Sequence, residues 1–311
     1  MKTIMFPFTL QQLRILKAIA TEKNFTKAAE VLYISQPSLS KQIKTLEKNL
    51  GITLINRERN KIFLTENGKV FLQYSERILA LCEESCRALI DLKNGNRGNL
   101  TVGSSQTIGT YLMPQILSIF AQNYPQIDLK IQINSTPIII NNILEREIDI
   151  ALVGGEIPNK LRKNLIIKYF VKDEIHLIIS TIHPFAKKKR IHKEDLYYLN
   201  FITLNPNSPT QKLINNILIQ NQIETKQLKV IMQLNSIEGI KTAVSLGLGA
   251  AFVSSLAIEK ELKLKTIEIL TIKDIKIIRL LSIISNPKHY KSKAFEFFSN
   301  ELYILKNTLK D

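Results

Sequence analysis

Early in the chain, apolar residues return in steps of three and four, the spacing that keeps them on one face of an α-helix. Leu10, Leu13, Leu16, Ile19 and Ala20 define a first helix over Phe8–Thr21, with these side chains toward the core. A short second helix covers Thr26–Leu32, and its adjacent Ala28 and Ala29 leave room for another helix to cross close by. Tyr33-Ile34-Ser35 interrupts the period. Ser35 is a natural N-cap, and Pro37 falls in the following first turn, where its missing N–H costs least. Leu39, Ile43, Leu46 and Leu50 then form one buried stripe, and Leu54–Leu64 reads as a β-ribbon. From Glu66 to Leu92 a long helix carries a heptad seam at Phe71, Tyr74, Ile78, Leu81, Ser85, Ala88 and Leu92. Beside it runs a second stripe of Leu72, Leu79, Cys82, Cys86 and Leu89. A helix apolar on two adjacent faces buries one in its own domain and offers the other to a partner, so pairing with a second copy is expected.

Asn94-Gly95-Asn96-Arg97-Gly98 is a hinge by composition, and the period changes after it. Short apolar runs at Leu100–Gly103, Leu129–Ile133 and Asp149–Val153 are separated by helical segments at Leu112–Phe120 and Ile138–Leu144. That is a βαβαβ half-unit. A second half follows, with strands at Glu174–Ser180, Phe201–Leu204, Leu228–Gln233 and Ala250–Ser254 and helices at Gln211–Ile219 and Ser236–Leu246. Strand Ile277–Ile284 and helix Lys291–Leu305 return to the first half. The expected partition is 8–65, 66–93 and 98–311. The last part divides into one lobe at about 98–165 plus 267–305 and another at about 166–266, with a ligand cleft where the strands end.

Polar positions add chemistry to this outline. Gln36, Ser40, Lys41, Lys44 and Lys48 share the face opposite the buried stripe. A short helix with such a face, propped by a partner helix, suits a DNA major groove, although an ordinary helical hairpin with a solvated lysine face has the same pattern. Arg57, Arg59 and Lys61 cluster near the ribbon tip, placed for backbone or minor-groove contacts. Residues 1–65 hold 11 Lys or Arg against 4 Asp or Glu, so +7 of the chain's formal +16 is concentrated there. That concentration fits a phosphate-contacting module.

In the second part, Ser104-Ser105-Gln106-Thr107 follows a strand and opens a helix, an arrangement that gathers hydroxyls and amides around an anion. Ser135-Thr136 repeats it, Thr203 to Asn207 ends a strand in the second lobe, and Asn235–Glu238 reads as a capping box around Ser236. Each alone is more often a plain helix cap, and several facing one cleft favour a site for a phosphorylated or carboxylated metabolite. Support for catalysis is poor. His176, His183, His192 and His289 show no metal-ligand spacing, and there is no GxSxG elbow or P-loop. Gly247-Leu248-Gly249 lies between a helix and a strand, the wrong order for a dinucleotide fingerprint and the right one for a helix C-cap.

At 311 residues, 45% apolar and 23% charged, the chain is long enough for two or three compact units. Cys82 and Cys86, four apart on a helix, are poorly spaced for zinc or a disulfide and are expected as small apolar core residues in a reducing compartment. No apolar run reaches membrane-span length and Met1–Leu10 lacks a signal-peptide core, so a soluble intracellular protein is expected. Abundant Ile, Lys and Asn without Trp is what an AT-rich genome encodes, such as a plastid or a low-GC bacterium.

The ordered segments FTLQQLRILKAIA, FTKAAEVLYISQPSLSKQIKTLE and INRERNKIFLTENG resemble the winged helix-turn-helix of LysR-type transcriptional regulators. SSQTIGTYLMP, EREIDIALVGGEIP, LYYLNFITL and LNSIEGIKTAVSLGLGAAFVS resemble that family's effector domain, and more narrowly the plastid and cyanobacterial branch that controls RuBisCO genes. The resemblance implies a winged helix-turn-helix, a long linker helix and a two-lobed, periplasmic-binding-protein-like α/β effector domain. It also implies a non-enzymatic homo-oligomer, a dimer or tetramer, that binds double-stranded DNA in a plastid stroma or bacterial cytoplasm. DNA contacts would fall on Gln36, Pro37, Ser38, Ser40, Lys41, Lys44, Arg57 and Arg59. A small anionic effector, NADPH or a sugar phosphate, would meet Ser104, Ser105, Gln106, Thr107, Ser135, Thr136, Thr203, Asn205 and Ser236, with neither resident cofactor nor metal. Two positions depart from the pattern. Lys41 stands where relatives often have Arg, removing a bidentate fork to guanine, and Glu147 stands where many have Gly. A regulator of another pathway, or a small-molecule-binding protein whose N-terminal helices serve only assembly, remains the alternative.

Overall fold

The computed structural model describes residues 6–58, 61–94 and 98–308. Wing residue Arg59 and hinge residues Gly95, Asn96 and Arg97 lie outside the described residues. The chain forms two compact units, Met1–Lys93 with Glu145–Glu147, and Asn94–Leu144 with Ile148–Asp311.

The N-terminal unit opens with α1 (Leu10–Glu22), whose N-cap Thr9 accepts from the Gln12 amide while Gln12 reaches back to the Thr9 amide. The reciprocal bonds satisfy two donors that a helix start leaves free. The helix therefore begins two residues later than expected, and Leu10 is exposed at its first position, whereas Leu13, Ile15, Leu16, Ala18 and Ile19 are buried. α2 (Phe25–Val31) starts on the Asn24 side chain, and its Ala28 and Ala29 are buried against neighbouring helices as their size predicts. Ser35 caps α3 (Gln36–Leu50) by accepting from the Ser38 amide, and Gly51 ends it at φ +69°, a conformation that suits a residue without Cβ. Leu39, Ile43 and Leu46 bury in a core shared with α1 and α2, with Leu50 partly covered. The wing is β1 (Ile55–Glu58) antiparallel to β2 (Lys61–Leu64). A Glu47 carboxylate oxygen on α3 accepts from the Leu54 and Ile55 amides and so ties wing to helix. α4 (Glu66–Asn94) follows.

α4 differs from the simple two-stripe expectation. Leu79 is buried and Phe71, Leu72, Ile78 and Cys82 are half-buried. Tyr74, Leu81 and Leu89 are 58%, 52% and 69% exposed, and Cys86 is exposed rather than in a core. Among the described residues that line is left uncovered, so both expected stripes split between covered and exposed positions.

The second unit runs β3 (Gly98–Ser105), α5 (Gln106–Tyr111), α6 (Met113–Asn123), β4 (Ile127–Asn134), α7 (Thr136–Leu144), β5 (Ile150–Gly154), α8 (Asn159–Arg162) and β6 (Ile166–Ser180). It continues with β7 (Arg190–Ile191), β8 (Asn200–Leu204), α9 (Pro209–Gln220), β9 (Lys229–Leu234), α10 (Ile237–Ser245), β10 (Ala251–Ser254), α11 (Glu259–Lys263), β11 (Ile267–Ile272), β12 (Ile277–Ser285) and α12 (Lys293–Thr308). β4, β3 and β5 are parallel neighbours, as crossover helices require. The two lobes share one sheet, ordered β4-β3-β5-β12-β6-β11-β7, with β10 also on β6. β6 is the physical link: its first half pairs with Ser285–Leu280 of β12, and its second half pairs with β10 and β11. A register shift between Leu280 and Ser282 bends the pair where it passes between lobes. β11 still pairs with Leu177–Ser180, so the chain re-enters the first lobe with β12. One lobe core is built on Leu100, Val102, Phe120, Phe170 and Phe298, and the other on Ile175, Leu177, Phe201, Ile214 and Leu270.

Candidate functional site

The outward face of α3 is built by its buried face. With Leu39, Ile43 and Leu46 turned inward, helical geometry sends Gln36, Pro37, Ser38, Lys41, Lys44 and Lys48 into solvent, with Ser40 half-buried. Pro37, Ser40, Lys41, Lys44, Thr45 and Lys48 line a shallow concavity of about 380 Å³. Among the described residues none of these three lysines is paired with a carboxylate. Gln36 Nε2 donates to Ser40 Oγ at 3.3 Å, fixing two polar groups at the helix start. Thr45, not among the expected residues, shares this face because it follows Lys41 by one turn, and its hydroxyl donates to the Lys41 carbonyl. Arg57 has its backbone on β1 opposite Ile62. This is a cationic, donor-rich helix held on a rigid support, chemistry that matches phosphates and base edges.

The second site is a cleft of about 280 Å³ between the lobes of the C-terminal unit. Six of the expected residues line it: Ser105, Gln106, Thr107, Ser135, Thr136 and Asn205. Three do not. Successive strand residues face opposite ways, so Ser104 is buried on the far side and donates to the Ser105 carbonyl, while Thr203 precedes Leu204, which lines the cleft. Ser236 is spent as the N-cap of α10, accepting from the Gly239 amide, so the cap falls one residue later than Asn235 and the third helical residue is Gly239, which has no side chain to complete a capping box. Gly154 closes one wall, its carbonyl accepting from Thr136 Oγ and its amide donating to Ser105 Oγ.

Periodicity missed the charged floor of this cleft. Arg279 on β12 stands opposite Asp173 on β6, 6% and 0% exposed, with Nε donating to Oδ2 at 2.6 Å. Nη1 donates to Thr210 Oγ1, and Ser254 and Ser255 hydroxyls donate to Asp173 Oδ1. A buried carboxylate is tolerable only with such partners. The available signal was a lone Arg at an inward position of an apolar strand.

A further polar chain joins the lobes beside the cleft. The Tyr111 hydroxyl at the end of α5 donates to Glu238 on α10 at 2.6 Å. Lys241, 3% exposed, reaches Glu238 at 2.8 Å, Glu261 at 3.0 Å and the Ala257 carbonyl at 2.7 Å. Burial, followed by the bond to Glu238 and its charge, pushes the Tyr111 hydroxyl far above its ordinary range. Burial works to raise Glu238, but the bonds from Lys241 and Tyr111 outweigh it and hold the carboxyl below its usual value.

Among the described residues no group of three His, Cys, Asp or Glu could hold a metal ion, and no helix is long and apolar enough to cross a membrane.

Comparison with known proteins now bears on both sites. Residues 10–69 match the family model described as "Bacterial regulatory helix-turn-helix protein, lysR family", and residues 93–303 match "LysR substrate binding domain". Over 307 residues the chain is 76% identical to the "Probable RuBisCO transcriptional regulator" of Phaeodactylum tricornutum, covering 99% of this chain and 100% of that one. A protein of the same name from Synechocystis sp. is 48% identical over 95% of this chain and 86% of its own. Among solved structures, a full-length OxyR from Pseudomonas aeruginosa superposes with TM-score 0.71 at 22% identity, covering 96% of this chain and 95% of its own. Full-length CbnR complexed with its target DNA superposes with TM-score 0.70 at 19% identity, covering 96% and 99%. At such identities the two structures speak for the fold.

Proposed function

The chain belongs to the LysR family of transcriptional regulators, and from that membership we propose that it controls expression of the RuBisCO genes. On this reading α3 enters the major groove, the wing follows the backbone, and the cleft between the lobes takes a compact anionic metabolite that alters the DNA-bound state. The protein works as a homo-oligomer through the uncovered Tyr74–Leu81–Leu89 line of α4, in a plastid stroma or a cyanobacterial cytoplasm, with no catalytic step. The observation that carries the proposal is the joint one: a lysine row on a buttressed helix, unpaired among the described residues, in a chain that matches a protein named "Probable RuBisCO transcriptional regulator" over nearly its whole length.

Fluorescence anisotropy tests it, using the fragment upstream of the RuBisCO genes of the same genome against a shuffled fragment of equal length. A preference of at least about 10³-fold at physiological salt is expected of a specific regulator. Equal affinity for both fragments, with and without candidate metabolites, would sink the assignment. Tight, selective binding to a different promoter would move the protein to another pathway and leave its class intact.

A further inference from the structure

We propose that Arg279 selects the effector's charge, its Nη2, buried without a hydrogen-bond partner among the described residues at the wall of the cleft, being the docking point for a single oxyanion of a small polyol phosphate or carboxylate. The inference deepens the reading of the cleft as the effector site and rests on it. Arginine carries its donors in a planar fork that matches a carboxylate or phosphate. Here two of the fork's three nitrogens are assigned by geometry, Nε to Asp173 and Nη1 to Thr210, while Nη2 is buried with no hydrogen-bond partner among the described residues. A buried, unsatisfied donor on a cation is costly, and the cheapest acceptor for it is an anion. The rest of the cleft agrees. α7, α9 and α10 all begin on residues that line it, Thr136, Pro209 and Ile237, so three positive dipole ends converge beside Arg279. Ser254 and Ser255 hold the charge of Asp173 on its far oxygen.

Size narrows the ligand. About 280 Å³ lies at the bottom of the range for small-molecule sites, too small for a dinucleotide and suited to a short sugar phosphate or sugar acid. The lining beyond Arg279 is mainly hydroxyl and amide, Ser105, Thr107, Ser135, Thr136, Asn205 and Asn235, which suits the hydroxyls of a polyol. Gly154 lies beside the guanidinium: a Cβ there would stand 3.0 Å from Leu281, a tight approach, and 3.5 Å from Arg279 Nε, an ordinary van der Waals contact.

Isothermal calorimetry on the full chain tests this with ribose 5-phosphate, gluconate and neutral ribose at fixed ionic strength. One or both anions are expected to bind and ribose to bind at least about tenfold more weakly, the arms separating phosphate from carboxylate. Arg279→Lys keeps a cation for Asp173 while removing the second edge, and is expected to cut the anion's affinity about 10–100-fold. Because any change at Arg279 risks unfolding the lobe, the neutral pair Asp173→Asn with Arg279→Gln is measured alongside, with thermal melting as the fold check. Ribose binding as tightly as the anions, no anion binding in the millimolar range, or a folded variant with wild-type anion affinity would each overturn the proposal. Operator preference, read by anisotropy on the same preparation, separates the two readings. Its loss with anion selectivity intact would remove the promoter assignment and leave Arg279 its role.

Discussion

Replacing Lys41, Lys44 and Lys48 together by Ala removes the whole cationic row of α3 without touching Leu39, Ile43 or Leu46, which carry its packing. The three ammonium groups face solvent, and among the described residues none is neutralised by a carboxylate. Each therefore stands free to displace a counterion from duplex DNA. Counterion release sets the slope of log K against log salt at about −0.9 for each phosphate neutralised. If all three contact phosphate, the slope of the triple variant is shallower than wild type by about 2.7. Over a fourfold rise in salt, from about 50 to 200 mM, wild type then loses roughly 40-fold more affinity than the variant. Anisotropy titrations at four or five salt concentrations, on operator and on shuffled DNA, read both numbers. The single variants divide the row further. Lys41 sits near the start of α3, where recognition helices meet base edges, so Lys41→Ala should cost operator binding more than random binding. Lys48→Ala, at the far end, should weaken both alike. An unchanged slope in the triple variant, or equal losses at Lys41 and Lys48, would refute the placement of this face.

Three further outcomes follow from the geometry. Ser35→Ala leaves the Ser38 amide without its acceptor and should lower the N-terminal unit's stability by about 1 kcal/mol in urea melts; no change would mean the cap bond has no net value. Gly68→Ala would place a Cβ 2.0 Å from the Leu54 carbonyl oxygen, backbone that cannot step aside, so a cost of about 1–3 kcal/mol and weakened operator binding are expected, and wild-type melting would refute the close approach. Glu238 is held below its usual value by Lys241 and Tyr111, so its stabilisation is complete above the unfolded-state pKa and lost as pH falls through the depressed one. Wild type should lose more melting temperature on acidification than Glu238→Gln, and parallel acid curves would remove the inter-lobe bond from the account.

What could be read from the amino-acid order was what local chemistry decides. Ser35, Pro37 and the Leu39–Ile43–Leu46 stripe announce a capped helix, and the structure has it, fifteen residues long. Gly247 likewise ends α10 at φ +81°. Leu10 was misplaced for an equally local reason. Apolar residues surround much of α1, and a helix that starts at Leu10 presents Ile15 and Ala18 to the core instead. Tyr74, Leu81 and Leu89 show the limit of periodicity: it identifies an apolar line but not whether a single chain covers it. The opening half of β6 was missed because Lys168, Lys172 and Asp173 break its apolar run, although pairing with β12 makes it a strand.

The cleft divides along the same line. Hydroxyls next to helix starts are visible as caps, so Ser105, Thr107, Ser135 and Thr136 could be named, and strand alternation then decides that Ser104 and Thr203 face away. Arg279 and Asp173 are 106 residues apart and meet only because β12 and β6 run side by side between the lobes. Periodicity reports which face of a strand is buried and is silent about its neighbour. One inference was nevertheless open. Ile277, Arg279 and Leu281 alternate inward along β12, and an arginine in such a row must meet a carboxylate inside the protein. The carboxylate is Asp173, the residue that also interrupts the apolar pattern of β6. Two exceptions to two hydrophobic patterns thus account for each other, and the donor that their pairing leaves over, Nη2, is a feature of the cleft that caps and turns do not explain.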